Sequence, residues 1–258
     1  MKQLEKGFIA EKQMIAALNG KKMIELNHNL KHFIKKLFGD IDDDTKIGCK
    51  KFEGFFKPDF VVTCDGVNKY ISMKSGMADT VHEEQLSSVI TFLHRIGISD
   101  ETLETIRLFQ YADGTIDGTG SHRMNWREAY ETYDERIKKA NIELNSSKKQ
   151  LLKIMDRFLF QGVDNEAVFA DAIYHGNIED GVLVLRHQFE RYFLFKSWKK
   201  YDSFHIGPII IKPHSRFIGM DNKEIKNEHL RHRMQFRWPK LKEDMIYMNK
   251  YYFHQKSD

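Results

Sequence analysis

The stretch KPDFVVTCDGVNKYISMKSG, residues 57–76, decides the fold. Two β-rich runs, PDFVVTC and NKYISMKS, flank the pair Asp65-Gly66. Asp-Gly between such runs is a strong hairpin signal, because both central positions of the tight turn need positive φ. The hairpin puts Asp59 near the open end of its first strand and Lys74 near the open end of its second. Across a tight hairpin those two ends face each other. A carboxylate and an ammonium are therefore expected to converge at one rim of the sheet.

Working outward, residues 2–19 read as a helix, with Leu4, Phe8, Ile15 and Leu18 on one stripe. Glu11 fills the gap in that stripe, three residues after Phe8 and four before Ile15. An unpaired carboxylate on an apolar stripe is costly, which makes Glu11 a candidate site residue. A second helix is expected over 28–38 and a short strand over 46–52. After the hairpin, Thr80 reads as an N-cap with Glu83 as its capping-box partner. Leu86, Val89, Ile90, Leu93 and Ile96 give that helix a buried face, on which His82 reads as a core histidine. Further on, 105–111 reads as a strand; 126–143, 147–160 and 164–174 as helices; 182–186, 205–212 and 230–238 as strands; and a last helix starts at Pro239. The whole is α/β or α+β: a mixed central sheet flanked by helices, with extra strands in a basic C-terminal part. With four prolines and no low-complexity linker, no clean boundary shows. The organisation expected is a core over 1–125 and a helical and β-strand part over 126–258 for DNA contact and dimerisation.

The chain of 258 residues is long enough for a substantial core. Its charge of +4 permits a nucleic-acid partner without requiring one, so the distribution of charge matters more than the total. Cys49 and Cys64 match no zinc spacing and no disulfide framework. The start, MKQLEKGFIAEKQ, has no apolar signal-peptide region, and no run approaches the roughly 18 apolar residues of a membrane span. A soluble cytoplasmic protein with no membrane partner is expected. No P-loop lysine motif is present, so ATP use is not indicated. The segment DGTIDGTG, 113–120, lacks the spacing and closing glutamate of an EF-hand and reads as a turn.

A carboxylate at the sheet rim suits a hard divalent cation, and a neighbouring lysine can orient a water or stabilise charge on a phosphate. Those are the parts of metal-assisted phosphodiester hydrolysis. Pro58-Asp59, twelve residues, then Ser72-Met73-Lys74 resembles the PD-(D/E)xK nuclease superfamily, the restriction-endonuclease-like fold. The resemblance covers roughly residues 1–111, and Glu11 fits it too, since many members carry a metal-associated glutamate on the first core helix. It implies Mg²⁺-dependent cleavage of DNA, with Mn²⁺ able to substitute. It assigns catalysis to Asp59, Ser72, Lys74, Glu84 and Glu11, and metal ligation to Asp59, Glu84 and the backbone carbonyl of Met73. The departure is Ser72, where the family normally carries Asp or Glu. Some restriction enzymes resemble this variant, with the carboxylate displaced onto the following helix. Here that is Glu84, or Glu83 as the alternative.

The strand LRHRMQFRW, 230–238, alternates. Arg231, Arg233, Gln235 and Arg237 point one way, a pattern suited to phosphates and base edges. Segment 199–240 holds ten Lys and Arg against four Asp and Glu, so DNA contact is expected there. The expected protein is a type II-like restriction endonuclease acting on double-stranded DNA as a homodimer, since two related centres most simply cut both strands of a symmetric site. The resemblance alone implies a companion DNA methyltransferase. The alternatives are a repair, phage-defence or structure-specific nuclease of the same fold, or a catalytically inactive nucleic-acid-binding protein.

Overall fold

In the computed structural model, Asp65 and Gly66 adopt φ of 48° and 79°, the paired positive values a tight hairpin turn requires. They join β2 (Phe60–Cys64) to β3 (Val67–Lys74) in antiparallel register, with Phe60 opposite Ile71 and Cys64 opposite Val67. The structure describes residues 3–54, 57–76, 79–120, 123–163, 168–198, 203–213 and 228–252. It divides into two compact units, and the chain passes repeatedly between them. The first comprises Met1–Ala78, Met155–Tyr192 and Lys240–Asp258; the second comprises Asp79–Ile154 and Phe193–Pro239. Both units draw residues from either side of position 125.

The first unit is built on a five-stranded sheet ordered β1 (Gly48–Lys51), β2, β3, β5 (Ala172–Gly176), β6 (Gly181–Leu185). All neighbours are antiparallel except β3 and β5, which run parallel. One face carries Phe60, Val62, Ile71, Met73, Tyr174 and Leu183 in the core, against Met14 and Leu18 of α1 (Gln3–Leu18) and Phe33 and Ile34 of α2 (His28–Phe38). The stripe on α1 is turned from the expected one: Met14 and Leu18 are buried, Ile15 is partly so, and Phe8 is exposed. That rotation leaves Glu11 at the border of the core. Asn27 caps α2 by accepting from Leu30 N–H. Lys36 of α2 is buried, and its ammonium donates to Leu183 O at 2.5 Å and to Asn249 of α10 (Leu241–Tyr251). Burial brings its pKa down to about 7.

The second unit holds an antiparallel sheet ordered β4 (Thr80–Gln85), β9 (Arg233–Arg237), β8 (Ile209–Pro213), β7 (His205–Ile206). With it go α3 (Leu86–Arg95), α4 (Asp100–Tyr111), α5 (Trp126–Thr132) and α6 (Asp134–Ser146). The expected helix at Thr80 begins only at Leu86. Residues 80–85 pair with β9 instead, and Thr80 and Glu83 are ladder residues, not caps. The stripe Leu86, Val89, Ile90, Leu93 is buried as expected. The expected strand 105–111 lies within α4, whose start Ser99 caps by accepting from Thr102 N–H. A local start signal, Ser followed by Asp and Glu, overrode the β propensity of TIRLFQY. The expected helix 126–143 is broken at Tyr133 into α5 and α6, and 147–160 ends in a π-helical turn over Asp156–Gln161 after α7 (Lys148–Met155). The expected helix 164–174 fails where β5 begins at Ala172; residues 164–167 lie outside the described part. The last helix starts at Leu241, two residues after Pro239. Among the described residues no helix is long and apolar enough to cross a membrane.

Candidate active site

Asp59 sits one residue before β2, and its N–H still donates to Ile71 O at 2.8 Å, so its backbone continues the hairpin ladder opposite Ser72. Its carboxylate folds back onto β3. Oδ2 accepts from Met73 N–H at 2.5 Å and from Ser72 Oγ at a long 3.4 Å. No described residue donates to Oδ1. Ser72 is fully buried, so its hydroxyl acts on the carboxylate of Asp59 and not on solvent. Lys74, two residues on, shares the sheet face of Ser72 by strand alternation. No described residue forms an ion pair or hydrogen bond with its ammonium.

Glu11 joins this rim from α1. A Cβ on Gly7 of the same helix would lie 3.9 Å from Ser75 Oγ, which shows how closely α1 passes the end of β3. Burial, reinforced by the charge of Asp59, raises the pKa of Glu11 above its ordinary value; Lys51 and Lys74 act in the opposite direction. Glu11, Asp59, Lys74 and Lys51 are therefore one electrostatic cluster. Two neighbouring carboxylates of which one already resists ionisation suit a divalent cation, whose charge would offset both. Mg²⁺ is commonly held by one or two carboxylates, with waters and substrate phosphates completing its shell. Glu11 and Asp59 would supply two such carboxylates; among the described residues no group of three or more His, Cys, Asp or Glu could hold a metal ion.

His175 was not singled out by the sequence. It is the parallel register partner of Lys74 on β5, is buried, and its Nδ1 has no hydrogen-bond partner among the described residues. Burial foremost, then Lys242 and Lys74, lowers its pKa, so the neutral imidazole is favoured beside the lysine. No spacing rule links residues 74 and 175; only the parallel ladder does.

Glu84 requires a correction. It lies on β4, not on a helix, and is buried in the second unit. Its Oε2 meets His82 Nε2 at 2.8 Å, and its Oε1 accepts from Ser88 Oγ. Both oxygens are engaged, which argues against a ligand role. His82 is the satisfied core histidine expected, near the Phe236 ring. Glu83, the alternative, accepts from Gln235 Nε2 at 2.8 Å.

The basic row also needs correcting. Arg231 belongs to a helical turn, α9 (Glu228–Arg231), and its buried guanidinium pairs with Asp113 Oδ2 at 2.9 Å. It does not share the face of Arg233, Gln235 and Arg237, which alternate on β9 and are partly exposed. Of the basic segment 199–240, residues 199–202 and 214–227 lie outside the described part. Asp113 also accepts from Thr115 and from Gly120 N–H, so the 113–120 loop is tied together by its own hydrogen bonds.

No family model and no curated protein sequence matches the chain. Among solved structures, the restriction endonuclease MspI in complex with its cognate DNA is similar, with a TM-score of 0.56 and 14% sequence identity over 92% of this chain and 93% of that one. At that identity the likeness speaks for the fold, which is restriction-endonuclease-like.

Proposed function

We propose that the protein is a metal-dependent DNA endonuclease of restriction type. The observation that supports this best is the convergence of Glu11 and Asp59 with Lys74 at the hairpin rim, where the ammonium has no described partner. Asp59 and Glu11, with the Met73 carbonyl, would hold Mg²⁺ or Mn²⁺. The cation would supply charge to offset the phosphate and to favour a hydroxide-like water. Lys74 orients that water or stabilises negative charge developing on the phosphoryl oxygens. Ser72 positions: with Met73 N–H it fixes the Asp59 carboxylate, a task that needs no charge at residue 72. Arg233, Gln235 and Arg237 contact DNA. A homodimer and a companion methyltransferase belong to the restriction reading. A reducing cytoplasm suits the buried free thiols of Cys49 and Cys64.

The second reading is a catalytically inactive DNA-binding protein, favoured by Ser72, which brings no second acid to the strand. Incubating the protein with plasmid and phage DNA in Mg²⁺, beside EDTA and Lys74→Ala controls, separates the two. Discrete fragments from the unaltered protein alone support the restriction reading. A smear lost in both controls keeps a nuclease, of repair, phage-defence or structure-specific kind. DNA left intact in both Mg²⁺ and Mn²⁺ supports the inactive reading.

A further inference from the structure

The charged face of the second unit's sheet is paired in an unusual way for a DNA-contacting surface. In the ladder β4–β9–β8, Glu83 lies opposite Gln235, Gln85 opposite Arg233, and Lys212 opposite Gln235. Directly opposed residues share a face, so these side chains stand on the side away from buried Met234 and Phe236. Gln235 Nε2 donates to Glu83 Oε1 at 2.8 Å, and Arg233 Nη2 lies 4.0 Å from Glu83 Oε2. Arg237 holds Asp79 with two contacts, Nη2–Oδ2 at 2.6 Å and Nε–Oδ1 at 2.8 Å. Arg233, Glu83 and Arg237 remain about one-third exposed, so solvent and a ligand can reach them. To one side, the Lys212 ammonium sits 4.7 Å over the ring of Trp126, which is 40% exposed.

A surface built to grip phosphates would leave its cations unpaired and keep carboxylates away, because carboxylates repel the DNA backbone. Here two carboxylates stand among three cations. Base edges ask for something else: planar donors and acceptors at fixed spacing. A carboxylate accepts from the cytosine amino group, a guanidinium donates to guanine O6 and N7, and a carboxamide matches adenine. β4 is an edge strand and β9 beside it is an interior strand of the four-stranded sheet, so these side chains stand on one sheet face next to its β4 edge.

Resting on the nuclease reading above, we propose that the β4–β9 face is a base-reading surface for G·C-containing duplex DNA. Glu83 is its specificity-determining acceptor for a cytosine amino group, and Arg233 and Arg237 are guanine donors. The internal pairs hold these side chains in place until base edges replace their partners.

The test is selection of a randomised duplex pool in Ca²⁺, with the retained DNA sequenced, for the unaltered protein, Glu83→Gln and Glu83→Asp. Thermal melting confirms that each variant folds. The unaltered protein is expected to enrich a short G·C-containing motif. Glu83→Gln should lose roughly tenfold to a hundredfold discrimination at one cytosine, with the salt dependence of binding unchanged. If Glu83→Gln does not fold, Glu83→Asp is expected to change preference at that same position. Uniformly tighter binding to all sequences with a steeper salt slope, or an unaltered motif, overturns the proposal. Plasmid cutting in Mg²⁺ without any enriched motif overturns this inference alone, whereas neither binding nor cutting overturns the nuclease reading with it.

Discussion

The hairpin rim and the β4–β9 face follow opposite rules for handling charge. At the rim, Glu11 feels the charges of Asp59, Lys51 and Lys74, and the Lys74 ammonium forms no described hydrogen bond or ion pair. On the β4–β9 face, Arg233 and Arg237 each stand beside a carboxylate, Glu83 or Asp79. On the proposed function the rim would take a cation and a phosphate, and the paired face would exchange its internal partners for base edges.

The largest expected effect breaks the rim. Lys74→Ala should lower the cleavage rate about 10²–10³-fold, the usual result of removing one group that meets developing charge, and Asp59→Asn, which removes a proposed metal ligand, should lower it at least as much. The Lys74 ammonium makes no described hydrogen bond or ion pair, so Lys74→Ala should move the melting transition little, within the roughly 0.5 kcal/mol of an ordinary surface change. Parallel cleavage assays and melting curves check this. A Lys74→Ala protein that melts early and cuts normally would show that the ammonium serves the fold, and the contrast with the paired face would collapse.

Next comes a contrast inside the second unit. Arg231 and Asp113 form a buried pair, and Arg231→Ala leaves a buried carboxylate without its counter-ion, a change that costs about 3–5 kcal/mol. Arg233 and Arg237 pairs are partly exposed, and losing one such pair costs about 0–1 kcal/mol. Urea unfolding of the three variants should separate Arg231 from the other two. Equal losses would mean that the β4–β9 pairs are structural, against their proposed use for DNA.

These differences mark what the sequence could show. The hairpin was legible because Asp65-Gly66 fixes its register locally, and with it the juxtaposition of Asp59 with Ser72 and Met73. Glu11 was legible as a carboxylate breaking an apolar stripe. The neighbour of Lys74 was not legible, because β5 pairs in parallel from about a hundred residues downstream and carries no local signal of its partner. Residues 80–85 were misread for a related reason. Thr80 and Glu83 satisfy a capping box on paper, yet β9 supplies backbone partners that a sequence window does not contain. That error also misplaced Glu84, since only on a strand do residues 82 and 84 share a face and meet. Arg231 was misread by one turn: alternation in LRHRMQFRW begins at Arg233, after the helical turn ends.

The smallest expected effect sharpens the rim. Burial and the charge of Asp59 raise the folded-state pKa of Glu11 above its unfolded value. Ionised Glu11 therefore costs stability once the pH exceeds that raised value, and the cost vanishes below the unfolded pKa, where both states are protonated. Glu11→Gln should accordingly melt slightly higher than the unaltered protein near pH 8, with the gain fading toward pH 4. Added Mg²⁺ should reverse the order at pH 8, because a ligand that binds only the folded protein stabilises it, and Glu11→Gln binds that ligand less well. Melting curves at the two pH values, with Mg²⁺ and with EDTA, supply all the comparisons without reference to cleavage. A gain at pH 8 that Mg²⁺ leaves untouched would make Glu11 a strained border residue of α1, leaving Asp59 as the carboxylate that carries the metal.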